Sequence, residues 1–176
     1  MSTEVYPITP NTKVATLLEH YPQLEDTLIE MAPPFKKLRN PILRRSVAKV
    51  ASLRQAAKVG RLPAHQVVNA LRAAVGQSPL DPEPGAEDET YFTDQPRWFD
   101  EERISVSLDE SKEVGDDEMA VSKVLKQGNR LSAGEILELR TTFLPVPGID
   151  IMRAKGFETW SVEDAPDQIR TYFTRA

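Results

Sequence analysis

Few side chains in this sequence have the type and spacing that chemistry needs. The chain has no cysteine, which excludes disulfides, thiolate metal sites, iron–sulfur ligation and thiol or persulfide chemistry carried by this chain. Its two histidines, His20 and His65, lie far apart in sequence. Neither is followed, three or four positions on, by an acidic residue that would complete a helical ligand pair. We therefore predict no metal site and no cofactor.

Carboxylates and hydroxyls give no stronger catalytic pattern. The carboxylates at 116–118 lie where a predicted helix begins, and the positive end of the helix dipole explains them without an acid–base role. Gly134 stands alone and cannot form a phosphate-cradling loop. The serines at 105, 107 and 132 lack a nucleophile elbow and an identifiable base. The sequence therefore predicts a protein that is not an enzyme.

The charge distribution divides the chain into two halves. Residues 1–78 carry 11 Lys and Arg against 5 Asp and Glu, whereas residues 79–176 carry 11 against 22. The stretch from Ser78 to Glu102 contains four prolines, spaced so that no helix or central strand can run through it. We predict a basic all-α helical domain at 1–77, an acidic, proline-rich linker at 78–102 and an α/β sandwich domain at 103–176.

The predicted linker also contains aromatic residues that are too apolar for a purely solvated tether: Tyr91, Phe92, Trp98 and Phe99. One interpretation is that they dock on the domain that follows, with Trp98 and Phe99 as its anchor. The other is an acidic–aromatic segment that binds a partner. Docking within the chain is favoured because the aromatic residues lie directly before the first predicted strand.

The first half has the periodicity of several short amphipathic helices. Thr12 is placed to cap the first of them. Ser52 and Gln55 form a capping box that opens a later helix, which ends at Gly60, and Pro63 starts the last one. A short helix, a glycine turn and an amphipathic helix are also the layout of a helix-turn-helix over residues 52–75.

Two interpretations of that layout remain open. A DNA-binding regulator would present Ala64, His65, Gln66 and Asn69 to base edges and Arg39, Arg44, Arg45 and Lys49 to phosphates. A compact helical bundle would need the glycine and proline for backbone reasons alone. The bundle is favoured because Arg72 is the only basic residue of the would-be recognition helix, and because the acidic second half would repel DNA.

The stretch ITPNTKVATLLEHYPQLEDTLIEM resembles a small helical domain of unknown function found at the start of many bacterial redox and nitrosative-stress proteins. It is also similar to the N-terminal module of the iron–sulfur-repair di-iron proteins, and the resemblance extends over residues 5–76. Many relatives carry a cysteine pair after the second helix. This chain has Met31-Ala32-Pro33-Pro34 there, so the resemblance implies no cysteine-dependent role.

Alternating apolar residues predict that the second half completes an α+β fold. RISVSLDES is the first strand, with Ile104, Val106 and Leu108 on one face. GEILELRTTF is the second, with Leu137 and Leu139 on one face and Glu138 on the other. A helix after Gly115, a helix at 148–155 and a hairpin around 164–167 give the order β-α-β-α-β-β. Four strands with two helices on one side form a two-layer sandwich.

This order resembles the sulfur-carrier superfamily named TusA-like or SirA-like, and more closely its cysteine-free branch of unknown function. The resemblance covers residues 103–176. It rests on the stretches 134–139 (GEILEL), 143–147 (FLPVP) and 153–157 (RAKGF). True sulfur carriers place a Cys-Pro-x-Pro motif after the first strand, where this chain has Leu108-Asp109-Glu110. The resemblance therefore implies the fold and not sulfur transfer.

We interpret the chain as a non-catalytic bacterial adaptor or regulatory protein that binds a protein partner or a small ligand. The resemblance implies a redox, nitrogen-oxide or iron-metabolism context, and a DNA-binding regulator is the alternative. With no signal peptide and no apolar run of about 20 residues, we expect a cytoplasmic protein without membrane contact. The candidate interaction surface comprises Arg39, Arg44, Arg45, Lys49, Phe143, Leu144, Pro145 and Pro147.

Overall fold

The computed structural model of the chain describes residues 5–82, 91–110 and 120–175. The chain divides into two compact units, Met1–Glu89 and Thr90–Ala176. The second part of the predicted linker thus belongs to the second unit. The predicted helix start at 115–118 lies outside the described residues. Within the described ranges, no helix is long and apolar enough to cross a membrane.

The first unit is all-helical where it is described. Its elements are α1 (Val14–His20), α2 (Leu24–Met31), a 3₁₀-helix (Pro33–Arg39), α3 (Pro41–Val50), α4 (Leu53–Val59) and α5 (Ala64–Ala74). The apolar faces of these helices share one core, in which Leu17, Leu28, Leu53 and Leu71 are fully buried. No helix of this length is stable alone in water, so this shared core holds the unit together.

Of the predicted helix caps at Thr12 and Ser52, the cap at Ser52 is confirmed and the cap at Thr12 is wrong. Ser52 accepts a hydrogen bond from the Gln55 backbone N–H at 3.2 Å, and the Gln55 side chain accepts one from the Ser52 N–H at 3.1 Å. Thr12, however, does not cap α1, whose N-cap is Lys13 without a side-chain hydrogen bond. The buried Thr12 hydroxyl instead accepts a hydrogen bond from the Thr9 N–H at 2.9 Å, which closes the preceding turn.

The second unit begins with a 3₁₀-helix (Glu101–Arg103). It continues with β1 (Ile104–Asp109), α6 (Ala120–Gly128), β2 (Ile136–Thr141), α7 (Val146–Ala154), β3 (Phe157–Ala165) and β4 (Gln168–Arg175). The four strands form one mixed sheet in the order β1-β2-β4-β3. β1 and β2 are parallel, and β4 is antiparallel to both of its neighbours. The predicted α+β class, with helices first and a four-stranded sheet after them, is confirmed.

Both faces of this sheet are covered. The helices α6 and α7 pack on each other and contact β2 and β3. The opposite face has a buried cluster of two aromatic rings, Trp160 and Tyr172, together with Ile136, which is called here the aromatic cluster. Phe99 and Ile104 pack against it. A two-layer sandwich would leave that second face to water, whereas here Trp98 and Phe99 pack on part of it.

One predicted strand face is wrong. Ile104 was expected beside Val106, but the pairing with β2 shifts register between these two residues, so Ile104 joins the aromatic cluster on the other face. A β-bulge of this kind adds one residue to one strand and so reverses the alternation beyond it. Glu138 lies on the face opposite Leu137 and Leu139, as predicted, and it is only 5% exposed, in contact with Ser107 and Tyr172.

Candidate functional site

Residues 91–100, called here the aromatic strap, lie across the second unit and are fixed at their first end by polar contacts. The Tyr91 hydroxyl donates a hydrogen bond to Asp150 Oδ1 on α7 at 2.7 Å. The Arg153 guanidinium lies 4.9 Å from the centre of the Tyr91 ring. The Trp160 indole N–H donates to the Thr93 carbonyl at 2.9 Å. These contacts hold the strap against α7 and β3.

The strap also contacts the outer edge of β3 and the aromatic cluster. Phe92 makes a parallel bridge with Ser161, on the outer edge of β3. Phe99 packs edge-on against two rings, with centroid distances of 4.7 Å to Trp160 and 4.5 Å to Tyr172. Trp98 lies edge-on to Phe99 at 6.4 Å. The strap aromatics therefore dock on their own chain.

A buried carboxylate lies on the sheet face next to this cluster. Glu138 Oε1 accepts hydrogen bonds from the Ser107 hydroxyl at 2.9 Å and from Arg140 Nε at 3.0 Å. Its Oε2 accepts one from the Tyr172 hydroxyl at 3.1 Å. Burial opposes ionisation of Glu138, but these hydrogen bonds and the charge of Arg140 outweigh burial and lower its pKa. Glu138 is thus held as a satisfied anion.

The same network shifts the pKa of the Tyr172 hydroxyl in the opposite direction, upward. Burial, the negative charge of Glu138 and the hydrogen bond to it raise the pKa of Tyr172 to about 12. Behind Tyr172, Arg170 forms a two-pronged ion pair with Asp164, with both N–O distances at 2.6 Å. That pair raises the pKa of Arg170, against the effect of burial. Glu138, Tyr172 and Arg170 therefore each keep one charge state around neutral pH.

A surface groove of about 420 Å³ opens beside the strap. Its walls combine two aromatic rings with side chains of both charges: Gln95, Arg97, Trp98, Phe99, Asp100, Glu101 and Arg103. Asp100 Oδ1 accepts the Glu102 N–H at 3.0 Å, which caps the short 3₁₀-helix and shapes one side of the groove. Arg103 Nε lies 3.9 Å from Asp100 Oδ2. Phe99, one of the lining residues, packs against the aromatic cluster.

The residues of the predicted basic face lie on the 3₁₀-helix and on α3. Two of these residues lie near carboxylates. Arg44 forms an ion pair with Glu25 at 2.5 Å, and Arg39 lies 3.8 Å from Asp26. Both carboxylates are in the first turn of α2. Arg45 and Lys49 are exposed. Arg39 is exposed as well, so the exposed positive charge of this face comes from Arg39, Arg45 and Lys49.

The predicted turn at Phe143–Pro147 is largely interior. Leu144 is 3% exposed, and Pro147 is buried at the start of α7. Phe143 and Pro145 are partly exposed. Only these last two can contribute contact area to a partner, because the others pack inside the second unit.

Two of the four side chains that the DNA-binding interpretation places at base edges, Ala64 and Asn69, have other roles in the structure. Ala64 is buried. The Asn69 amide donates to the Leu80 carbonyl at 2.9 Å and accepts from the Leu80 N–H at 2.8 Å. Arg72 donates to the carbonyls of Ser78 and Ile8 at 2.5 and 2.6 Å. Asn69 and Arg72 thus fix the chain after α5 and the chain before α1. His65 is half-buried and Gln66 is exposed.

The two histidines are in the first unit and have different surroundings. His20 stacks on Tyr6 with ring centroids 4.2 Å apart, whereas His65 is in α5. In the described parts of the chain, no group of three or more histidine, aspartate or glutamate side chains is arranged to hold a metal ion.

Comparison with known proteins identifies a family model over part of the first unit only. Residues 8–68 match the model described as a domain of unknown function, DUF1858. The match runs from before α1 into α5, so the predicted helical domain of unknown function is confirmed over those residues. No curated protein matches the chain. No solved structure matches it either.

The residues of this site were only partly visible in the sequence. The strap aromatics stood out because four of them interrupt an acidic, proline-rich stretch. Glu138, Ser107 and Tyr172 gave no signal, because each sits in an ordinary strand pattern and their meeting depends on pairing across β1, β2 and β4.

Proposed function

We propose that this chain is a non-catalytic adaptor or regulatory protein, and that its second unit binds a protein partner through the groove beside the strap. The observation that carries this proposal is the composition of the groove. Trp98 is only partly buried and stands among Arg97, Arg103 and two carboxylates. Tryptophan and arginine are enriched among residues that dominate binding energy at protein interfaces.

A protein partner fits this groove better than a small molecule. Small-molecule pockets are concave and mostly apolar, with a few placed polar groups. Five of the seven side chains that line this groove are polar or charged, and its two rings meet edge-on. Mixed charges around an aromatic anchor match the polar rim and apolar centre of a protein interface.

The pKa shifts of the buried Glu138 and Tyr172, next to the aromatic cluster, support binding over catalysis. A general acid or base works best with a pKa near the working pH. The network instead lowers the pKa of Glu138 and raises that of Tyr172 to about 12, so both move away from neutrality. Three hydrogen bonds also occupy the Glu138 oxygens. These groups stabilise the sheet under the strap.

The finer family assignment is part of this proposal. We propose that the second unit is a cysteine-free TusA-like module, supported by its β-α-β-α-β-β order and by its motif resemblance. The redox, nitrogen-oxide or iron-metabolism context follows from the resemblance of the first unit. The strap is then an addition that covers the sheet face of the second unit and forms a partner groove at its edge.

Affinity capture from the lysate of the native host tests the proposal. The full chain is immobilised in four forms: wild type, Trp98→Ala, the double variant R45E/K49E, and Ser132→Ala as a control at an exposed loop position. The proposal expects at least one protein held by the wild type and by S132A and lost from W98A. The double variant tests the predicted basic face separately. An identical set of proteins on wild type and W98A would contradict the groove proposal.

A further inference from the structure

One long stretch of the first unit carries positive charge only. Residues 31–80 contain ten lysine and arginine residues and no aspartate or glutamate. They include the 3₁₀-helix, α3, α4 and α5, whereas the carboxylates of the first unit, where it is described, lie on α1, on α2 or at Asp81. A run of like charges without local counter-charges produces a positive surface potential, which attracts anionic partners.

Four cations of this stretch are exposed on two consecutive elements, and they are called here the cationic surface. Lys36 and Arg39 are on the 3₁₀-helix, and Arg45 and Lys49 are on α3, which follows it directly and packs on it. In the described parts of the chain, Lys36, Arg45 and Lys49 form no ion pair. Arg39 lies 3.8 Å from Asp26, and both side chains are largely exposed, so this contact neutralises Arg39 only weakly.

The geometry of α3 places two of these charges side by side. Arg45 and Lys49 are four residues apart, which makes them neighbours on one face of the helix. Arg44, one position earlier, points elsewhere and pairs with Glu25. The structure thus separates a cation that is used within the fold from two that face water.

The first unit keeps these candidate phosphate contacts but loses part of the predicted base reading. Ala64 is buried, and the Asn69 amide is hydrogen-bonded twice to the backbone of Leu80. Sequence is read by contacts with base edges, whereas contacts of lysine and arginine with phosphates carry no sequence information. The cationic surface therefore fits a nucleic-acid backbone and not a particular base sequence.

We propose that the cationic surface binds the phosphate backbone of double-stranded DNA without reading its sequence. A DNA duplex carries one negative charge per about 1.7 Å of its axis, and each phosphate that a lysine or arginine neutralises releases counterions. This release supplies the affinity of sequence-independent binding.

The surface fits DNA better than it fits a protein or a membrane. Among the described side chains, Val5 is the only large apolar one that is exposed. The described surface of the first unit therefore lacks the apolar centre of a protein interface and the apolar face with which amphipathic helices enter a membrane. Phosphate contacts need neither of these features.

This binding is separate from the proposed partner groove, which lies in the second unit. A chain with both surfaces would connect a protein partner to DNA. The net charge of −5 opposes the approach of DNA, so we expect weak binding that is strongest at low salt, where both attraction and repulsion are least screened.

Fluorescence anisotropy of a short labelled DNA duplex, titrated with the full chain, tests the proposal. Each phosphate contact contributes about −0.9 to the slope of log K against log salt, so four contacts predict a slope of about −3 to −4. The double variant R45A/K49A should lower the steepness of this slope by about two and weaken binding at low salt at least about tenfold. Lys36→Ala should lower it by about one.

The double variant K126A/R130A is the matched control. Lys126 and Arg130 are also exposed, four residues apart and without an ion pair among the described residues, but they are in the second unit. This variant has the same net charge as R45A/K49A and should bind as the wild type does. Equal losses in the two double variants would show that only net charge matters, and they would overturn the proposal. No binding of the wild type at the lowest salt would overturn it as well.

Two further titrations test the kind of partner. Two duplexes of equal length and different sequence should bind within about twofold of each other, and a larger preference would overturn binding without base reading. Polyglutamate and phosphatidylserine vesicles, supplied at the same concentration of negative charge, should bind more weakly than DNA. Equal or tighter binding of either would overturn the assignment to DNA. These titrations contain no other protein, so their outcome is independent of the proposed partner groove.

Discussion

Replacing Phe99 with alanine should destabilise the second unit, because Phe99 joins the strap to the sheet. Its ring contacts Trp160 and Tyr172 edge-on at 4.7 and 4.5 Å. Each such pair contributes about 0.5–1.5 kcal/mol beyond area burial. A fully buried Phe→Ala change costs about 3–5 kcal/mol, and Phe99 is only partly buried. We therefore expect a loss of about 2–3 kcal/mol.

Urea unfolding of the full chain, followed by two probes, measures this loss. Both tryptophans of the chain, Trp98 and Trp160, lie beside Phe99, so their fluorescence reports on the second unit. Circular dichroism of helices reports mainly on the first unit, which holds most of the described helical residues. With a slope of roughly 1–1.5 kcal/mol per molar urea, the fluorescence midpoint should fall by about 2 M.

Phe35→Ala is the matched control for this measurement. Phe35 is 5% exposed in the core of the first unit, so its loss should lower the helical transition and leave the tryptophan transition in place. A change below about 0.5 kcal/mol in the fluorescence transition of Phe99→Ala, which is what a surface residue gives, would refute the docking of the strap.

Two further substitutions test the network and the helical core. The pKa of Glu138 is lowered from 4.5 in the folded chain, so its ionised form stabilises the second unit above pH 4.5, and this stabilisation is lost as the pH falls through the folded pKa. The free energy of unfolding, measured from pH 7 downward, should therefore fall less steeply in Glu138→Gln than in the wild type. Parallel curves for the two proteins would contradict the assignment. Gly60→Ala would place a Cβ 3.0 Å from both Ala32 Cβ and Phe35 Cζ, so thermal unfolding of the first unit should show a loss of about 1–3 kcal/mol, and an unchanged midpoint would show that the contact relaxes freely.

Local sequence signals predicted the parts of the fold that local interactions determine. The capping box at Ser52 and Gln55 is one example, because its hydrogen bonds join residues three apart and depend on nothing else. The coarse order of helices followed by four strands is another, since periodicity reports which residues are buried in each element. Periodicity did not predict the 3₁₀-helix at Pro33–Arg39.

The candidate site could not be predicted in the same way. Glu138 looks like the polar residue of a half-exposed strand, and only the strap, which arrives from about forty residues earlier, makes its face an interior. Ile104 changes face because of a bulge that leaves no composition signal. Arg44 and Asn69 looked available for nucleic acid until tertiary packing brought Glu25 and Leu80 to them. Long-range pairing decides each of these cases.

The affinity of a captured partner for the full chain tests the central proposal most directly. Titration calorimetry would compare wild type, Trp98→Ala and the loop control Ser132→Ala. If Trp98 anchors the interface, its truncation should cost at least about 2 kcal/mol, which is roughly a 30-fold weaker affinity, while S132A binds as wild type does. A change of less than about twofold in W98A, with its fold intact by fluorescence of Trp160, would contradict the account.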